Sequence, residues 1–152
     1  MGKIKTKYYM GNLSHFESRP GKLSCSPDKV FSFVTDIRNF ERFVPQGAVN
    51  DWQADKESCS FNVSMIGRVG LRLSGKEENI KVVYNGDALK ENDFSLILDI
   101  SGEAGNPAEV KVTLEADLNP MMKMVAIRPI NQFLGTLIDE MERFNGWEDV
   151  KG

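Results

Sequence analysis

The hydrophobic pattern changes period twice along the chain. Apolar side chains first recur at helical spacing, then alternate with polar ones through the middle, then return to helical spacing near the end. In SPDKVFSFVTD, Ser26 suits an N-cap, Pro27 the first helical position and Asp28 the first turn. Val30, Phe33, Val34 and Ile37 follow at i, i+3, i+4 and i+7. A second short helix near Asn39 to Val44 carries Phe40 and Phe43 and ends at Pro45-Gln46-Gly47. Before these helices, Leu13 to Cys25 reads as a first strand, broken by a bulge or turn at Arg19-Pro20-Gly21.

After Gly47 the period is two. Trp52 is expected to point inward from a strand near Val49 to Ala54. Cys59, Phe61, Val63 and Met65 share one face against Ser58, Ser60, Asn62 and Ser64. A turn at Ile66-Gly67 leads to Val69, Leu71 and Leu73, then to Ile80, Val82 and Tyr84, with a turn expected at Asn85-Gly86. Phe94, Leu96, Leu98 and Ile100 form the next set. A loop over Gly102 to Pro107 precedes Val110, Val112, Leu114, Ala116 and Leu118. One apolar and one polar face in strand after strand predicts an antiparallel sheet with one face on a core. Without crossover helices between the strands, they form a meander.

Asn119 to Asn145 reads as one long amphipathic helix, with Asn119 as N-cap and Pro120 at its first position. Ile130, Phe133, Leu134, Leu137, Ile138, Met141 and Phe144 make its apolar stripe. The first turns (Met121, Met122, Met124, Val125, Ala126, Ile127) are apolar nearly all round. Pro129 is expected to kink or loosen the helix. This helix closes over the concave face of the sheet, with apolar ligand space between them.

Composition narrows the class without changing this picture. The 152 residues suit one domain, with 1–12 either an extension of the first strand or a loose N-terminal arm, and 41% hydrophobic with 27% charged residues is a soluble globular balance. A net charge of −3 and a pI near 5.3 give no reason to expect nucleic acid or an anionic membrane as partner. No apolar run is long enough to span a membrane and no apolar segment follows the N-terminal lysines, so a cytoplasmic protein without stable membrane insertion is expected. MGKIKT fits the myristoylation pattern through Gly2 and Thr6, and is read as chance. Cys25 and Cys59 lack metal spacing and read as small buried hydrophobes in a reducing compartment.

The segments SPDKVFSFVTDIRNFERFVP and LEADLNPMMKMVAIRPINQFL flank the meander, and with them the chain resembles small bacterial members of the START/polyketide-cyclase (SRPBCC, Bet v 1-like) superfamily. The resemblance covers about Leu13 to Phe144. It implies an α+β helix-grip fold: about seven strands in the order β-α-α-β6-α, wrapped on the C-terminal helix. It also implies a hydrophobic small-molecule ligand: a lipid, sterol, isoprenoid quinone or polyketide.

Lining candidates on the sheet are Trp52, Phe61, Val63, Leu71, Tyr84, Phe94, Leu96, Leu98, Val112 and Leu114. The helix adds Met122, Ala126, Ile130, Phe133 and Leu137. Each competes with an ordinary role in the core. Arg128, if inward, would anchor a carboxylate or phosphate head group; outward, it snorkels. Tyr84 is the one inward phenol, available to a ligand carbonyl.

Catalytic chemistry is thin. His15 is the single histidine and has no metal-ligand or acid–base partner at useful spacing. Asp36, Arg38 and Asn39 read as a cap and local ion pair rather than a polar cavity mouth. No nucleophile, phosphate-loop, dinucleotide or zinc motif appears, so neither cofactor nor metal is expected. Three functions follow: a carrier of a hydrophobic molecule, a protein-interaction module like the Hsp90-activator and ribosome-associated-toxin branches, and a cyclase or aromatase. The apolar inner face and the missing motifs favour the carrier.

Overall fold

The computed structural model describes residues 13–44, 47, 49–63, 67–88 and 92–147. The N-terminal arm lies outside them, as do Met65 and Ile66. In chain order the elements are β1 (Leu13–Glu17), β2 (Gly21–Lys22), α1 (Pro27–Val34), a 3₁₀ helix (Ile37–Arg42), β3 (Val49–Ala54), β4 (Ser58–Val63), β5 (Gly67–Glu77), β6 (Lys81–Ala88), β7 (Asn92–Ser101), β8 (Glu109–Asp117) and α2 (Pro120–Arg143).

The strands form one open antiparallel sheet in the order β1-β8-β7-β6-β5-β4-β3, and the two-residue β2 also pairs with β8. The six-strand meander is thus as the alternation demands, and β1 closes back on its last strand. Register puts Phe16 opposite Leu114, Leu96 opposite Leu114 and Tyr84 opposite Leu96, so the apolar sets of neighbouring strands share one face. α2 packs against β1, β2 and β8, one side of that face.

Two devices depart from simple alternation. In β3, Asn50 pairs with Asn62 and Gln53 with Ser60, so Asp51 and Trp52 together oppose Phe61. Asp51 adopts φ of 57°, and its carboxylate accepts a hydrogen bond from Asn62 Nδ2 (3.0 Å). This bulge brings Val49 and Trp52 to the same face, three residues apart, where period two would turn Trp52 outward. In β6, Asn85-Gly86 is not a turn: the strand runs through it to Ala88, with Gly86 paired to Phe94. A Cβ on Gly86 would sit 2.5 Å from the Phe94 ring and 2.6 Å from the Gly70 carbonyl, so the missing side chain is what lets that ring lie across the strand. Ile80 is likewise not inward; it sits in the turn before β6, 54% exposed.

The helix starts follow their caps. Asn119 accepts from the Met122 N–H (2.8 Å) and Pro120 opens α2, which passes through Pro129 as one helix. Ser26 precedes α1, but its hydroxyl goes to Asp28 (2.5 Å) rather than to the backbone.

Candidate functional site

The interior between sheet and helix has two ends of different character. At one end aromatic rings fill it. Phe33, Phe43, Phe144 and Trp147 are mutually packed, with Trp147 at 5.2 Å from Phe33 and 5.0 Å from Phe144. The Trp147 indole N–H donates to the Phe144 carbonyl (3.1 Å), which ties the chain beyond α2 back onto the cluster. Phe40 meets Tyr84 edge-on at 5.0 Å. Leu134, Leu137, Ile138 and Met141 bring the second half of α2 down on this core.

At the other end the register gathers the starts of β3, β5 and β7 and the ends of β4, β6 and β8: Val49 opposes Val63, Val63 opposes Gly67, Val69 opposes Ala88 and Phe94 opposes Ala116. The first half of α2 begins here, directly after β8. Its inward residues Met122, Ala126, Ile130 and Phe133 are packed on the core yet only half-buried. Trp52, Val63, Ala88 and Phe94 on the sheet are packed on the core and half-buried too. Trp52 stacks on Phe61 at 5.5 Å and 20° between planes, an aromatic wall on the β3–β4 side. These apolar side chains, packed on the core yet still meeting solvent, are less completely closed over than those of the aromatic end.

The expected lining residues therefore divide. Phe61, Leu71, Tyr84, Leu96, Leu98, Val112, Leu114 and Leu137 are all buried and form the floor and packed end. Trp52, Val63, Phe94, Met122, Ala126, Ile130 and Phe133 keep accessible edges. Arg128 joins neither group. It is exposed on the helix face opposite the inward stripe, where its charge stays solvated, so the inward head-group anchor does not form. Two shallow surface depressions lie elsewhere, one at Asp139, Glu142 and Arg143, the other along residues 53–60 of the β3–β4 hairpin.

The polar candidates are scattered. Tyr84 is wholly buried and donates its hydroxyl to the Val34 carbonyl (2.8 Å), so it is used up in joining α1 to the sheet; burial pushes its pKa well up. Burial, with Asp55 nearby, likewise pushes the Cys59 thiol up to about 12. His15 is exposed and lies 3.3 Å from Glu115 on the neighbouring strand. Asp36 caps the 3₁₀ helix through the Arg38 N–H and holds the Arg38 guanidinium at 2.6 and 2.9 Å; that guanidinium keeps its carboxyl below the usual range. Asn39 donates to the Phe33 carbonyl (2.9 Å). These contacts are structural, as capping chemistry predicts. Among the described residues no group of three or more His, Cys, Asp or Glu is placed to hold a metal ion.

Sequence spacing missed two residues that shape the site. Trp147 follows the helix and closes the packed end; it stands three residues after Phe144, beyond the Asn145 expected to end the helix. Gly86 reads as turn chemistry but is a cradle for Phe94.

No family model matches the chain, and no curated protein matches it in sequence. Solved structures do. Norcoclaurine synthase from Thalictrum flavum superposes with a TM-score of 0.67 at 8% identity, over 86% of this chain and 85% of that one. XoxI from Bacillus cereus gives 0.66 at 11%, over 90% and 96%. Mll3558 from Rhizobium loti gives 0.58 at 16%, over 84% and 96%. The protein therefore has the helix-grip fold of these structures, with the sheet open. At these identities the likeness is one of fold.

Proposed function

We propose that this protein binds and carries a hydrophobic small molecule, such as a lipid, an isoprenoid quinone or a polyketide-like chain, in the groove between the concave sheet face and the first half of α2. The observation that carries the proposal is the set of apolar side chains packed on the core yet only half-buried: Trp52, Val63 and Phe94 on the sheet, Met122, Ala126, Ile130 and Phe133 on the helix. Water against these surfaces is unfavourable, and a greasy ligand would remove it at about 25 cal/mol per Å². Methionine and alanine on the helix side suit an adaptable wall. One similarly folded protein, a norcoclaurine synthase point mutant, is known with a transition-state analogue bound, so a fold of this shape admits a small molecule. For this chain the cyclase alternative has weaker support: Tyr84, His15 and Arg128, its three polar candidates, do not converge on the groove.

Native mass spectrometry of protein from its own source tests the proposal, together with titration of an isoprenoid quinone against tryptophan fluorescence. A co-purified apolar mass, or saturable quenching lost in Phe133→Trp, is the expected result. Empty protein that quenches with no saturation overturns it.

A further inference from the structure

The first two turns of α2 are apolar on both faces. Met121, Met124, Val125 and Arg128 stand at i, i+3, i+4 and i+7 on the side away from the sheet, and the three apolar ones are 75%, 79% and 70% exposed. Ile127 beside them is 42% exposed. Of the five large exposed hydrophobics among the described residues, four lie in these seven positions. Further along the same outward side come Asn131, Gln132, Asp139 and Glu142, an ordinary polar face. A helix segment apolar on both sides belongs in a covered setting, and none of the described residues covers this one.

Charge identifies what covers it. Residues 121–128 carry Lys123 and Arg128 and no carboxylate. Residues 1–12 carry Lys3, Lys5 and Lys7, again with no carboxylate, and join the described chain at Leu13, which pairs with Asp117 three residues before α2. With a total of −3, these two stretches hold +5 and the rest of the chain −8. The nearby acids Asp87, Asp93 and Asp117 alternate with Gly86, Phe94 and Ala116, which puts them on the outward strand face. A second copy seated here by a two-fold axis would bring Lys123 and Arg128 against their own equivalents.

We infer that the exposed face of the first turns of α2 docks on an anionic lipid bilayer, with Met121, Met124, Val125 and Ile127 entering the interface and Lys123 and Arg128 at the headgroups. The net charge of the whole chain argues against such a partner; its distribution argues for one, because the acidic remainder is repelled and turns this end toward the surface. The inference rests on the carrier reading in one respect. Docking would set the groove entrance, on the other side of the same turns, beside the source of a lipid-like ligand.

Sedimentation of the full chain with phosphatidylcholine vesicles, with and without phosphatidylglycerol, tests it. Binding is expected with phosphatidylglycerol and should fall at high salt. Met124→Ser with Val125→Ser should weaken it about tenfold or more. Lys123→Gln with Arg128→Gln should weaken it about tenfold and remove most of the salt dependence. Circular dichroism and quinone quenching in solution should stay as in the original protein, since all four side chains are exposed. No binding to anionic vesicles, or equal binding by Met124→Ser/Val125→Ser, overturns the inference. So does a concentration-dependent dimer in sedimentation velocity, dissolved by those substitutions, in protein that ignores vesicles. Quinone binding without vesicle binding sinks docking alone; vesicle binding by protein that takes no ligand sinks the carrier reading alone.

Discussion

The two halves of α2 have the same helix geometry and opposite fates. Its second half buries Leu134, Leu137, Ile138 and Met141 and is pinned from outside: Arg19, in the break between β1 and β2, donates to Asp139 (2.6 Å) and to both carboxylate oxygens of Glu142 (2.9 and 3.0 Å), and the Lys22 N–H adds a fourth bond (2.8 Å). Its first half has no such clamp among the described residues and leaves its inward residues half-wet. One half is committed to holding the fold; the other is left adaptable. Local openness of this kind is drawn from the less stable parts of a structure.

The sharpest way to break the comparison is to truncate one aromatic at each end. Trp147→Ala removes a fully buried ring from contact with Phe33, Phe43 and Phe144, and should cost about 3–5 kcal/mol. Phe133→Ala, from the half-buried end, should cost about 1 kcal/mol or less, since its ring is already partly hydrated. Urea midpoints check both. Equal losses would mean that the first half of α2 is as much core as the second.

Enlarging side chains turns the same comparison round. Leu98, 2% exposed on the floor, has no room, and Leu98→Trp should cost about 1–3 kcal/mol by overpacking. Phe133→Trp should leave the urea midpoint nearly unchanged while filling the groove and abolishing quinone quenching. A large stability loss from Phe133→Trp would show that end to be closed.

How far was this division legible before the structure? The meander was, because six strands repeat one binary alternation, and so was the start of α2, because Asn119-Pro120 is cap chemistry that needs no tertiary help. The fully apolar first turns of α2 also signalled something unusual. Which apolar residues meet solvent was not legible: Leu98 and Phe94 sit on one face of one strand, four residues apart, and only the tertiary position of α2 separates floor from mouth. The β3 bulge was hidden because aspartate tolerates a left-handed φ without requiring one, so Asp51 does not by itself mark the bulge. Gly86 misled for a physical reason: a glycine after asparagine serves a turn and a close ring contact equally well, and the deciding partner, Phe94, is eight residues away. Arg128 shares a chain segment with inward residues, and only helix phase with depth of burial assigns its side.

Tyr84 gives the packed end a pH signature. Its folded pKa lies above the unfolded value, so the stabilisation from keeping it neutral is complete below pH about 10 and is lost as pH rises from there toward the folded pKa. Tyr84→Phe removes the hydroxyl bond to Val34 and should cost about 1 kcal/mol at neutral pH. The variant should also lose less stability between neutral and strongly alkaline pH. Urea midpoints measured across that range check it, and parallel losses would show that Tyr84 is not the group that titrates.

The smallest effect is expected at the outer clamp. The Arg19 guanidinium, and after it the Lys22 N–H, hold the Glu142 carboxyl at about 2, against an ordinary 4.5. With the folded pKa lowered, the clamp contributes above pH about 4.5 and is lost as pH falls toward 2. Because the groups are exposed, its effect on the unfolding midpoint should be slight, and the carboxyl resonance in NMR is the better probe. Arg19→Gln should raise the Glu142 midpoint only part of the way, since the Lys22 N–H still donates. Arg128→Gln should leave it unmoved, because Arg128 lies in the unclamped half of the helix. A Glu142 midpoint near 4.5 in the original protein would mean that nothing fixes the far half from outside. The difference between the two halves would then rest on the aromatic cluster alone.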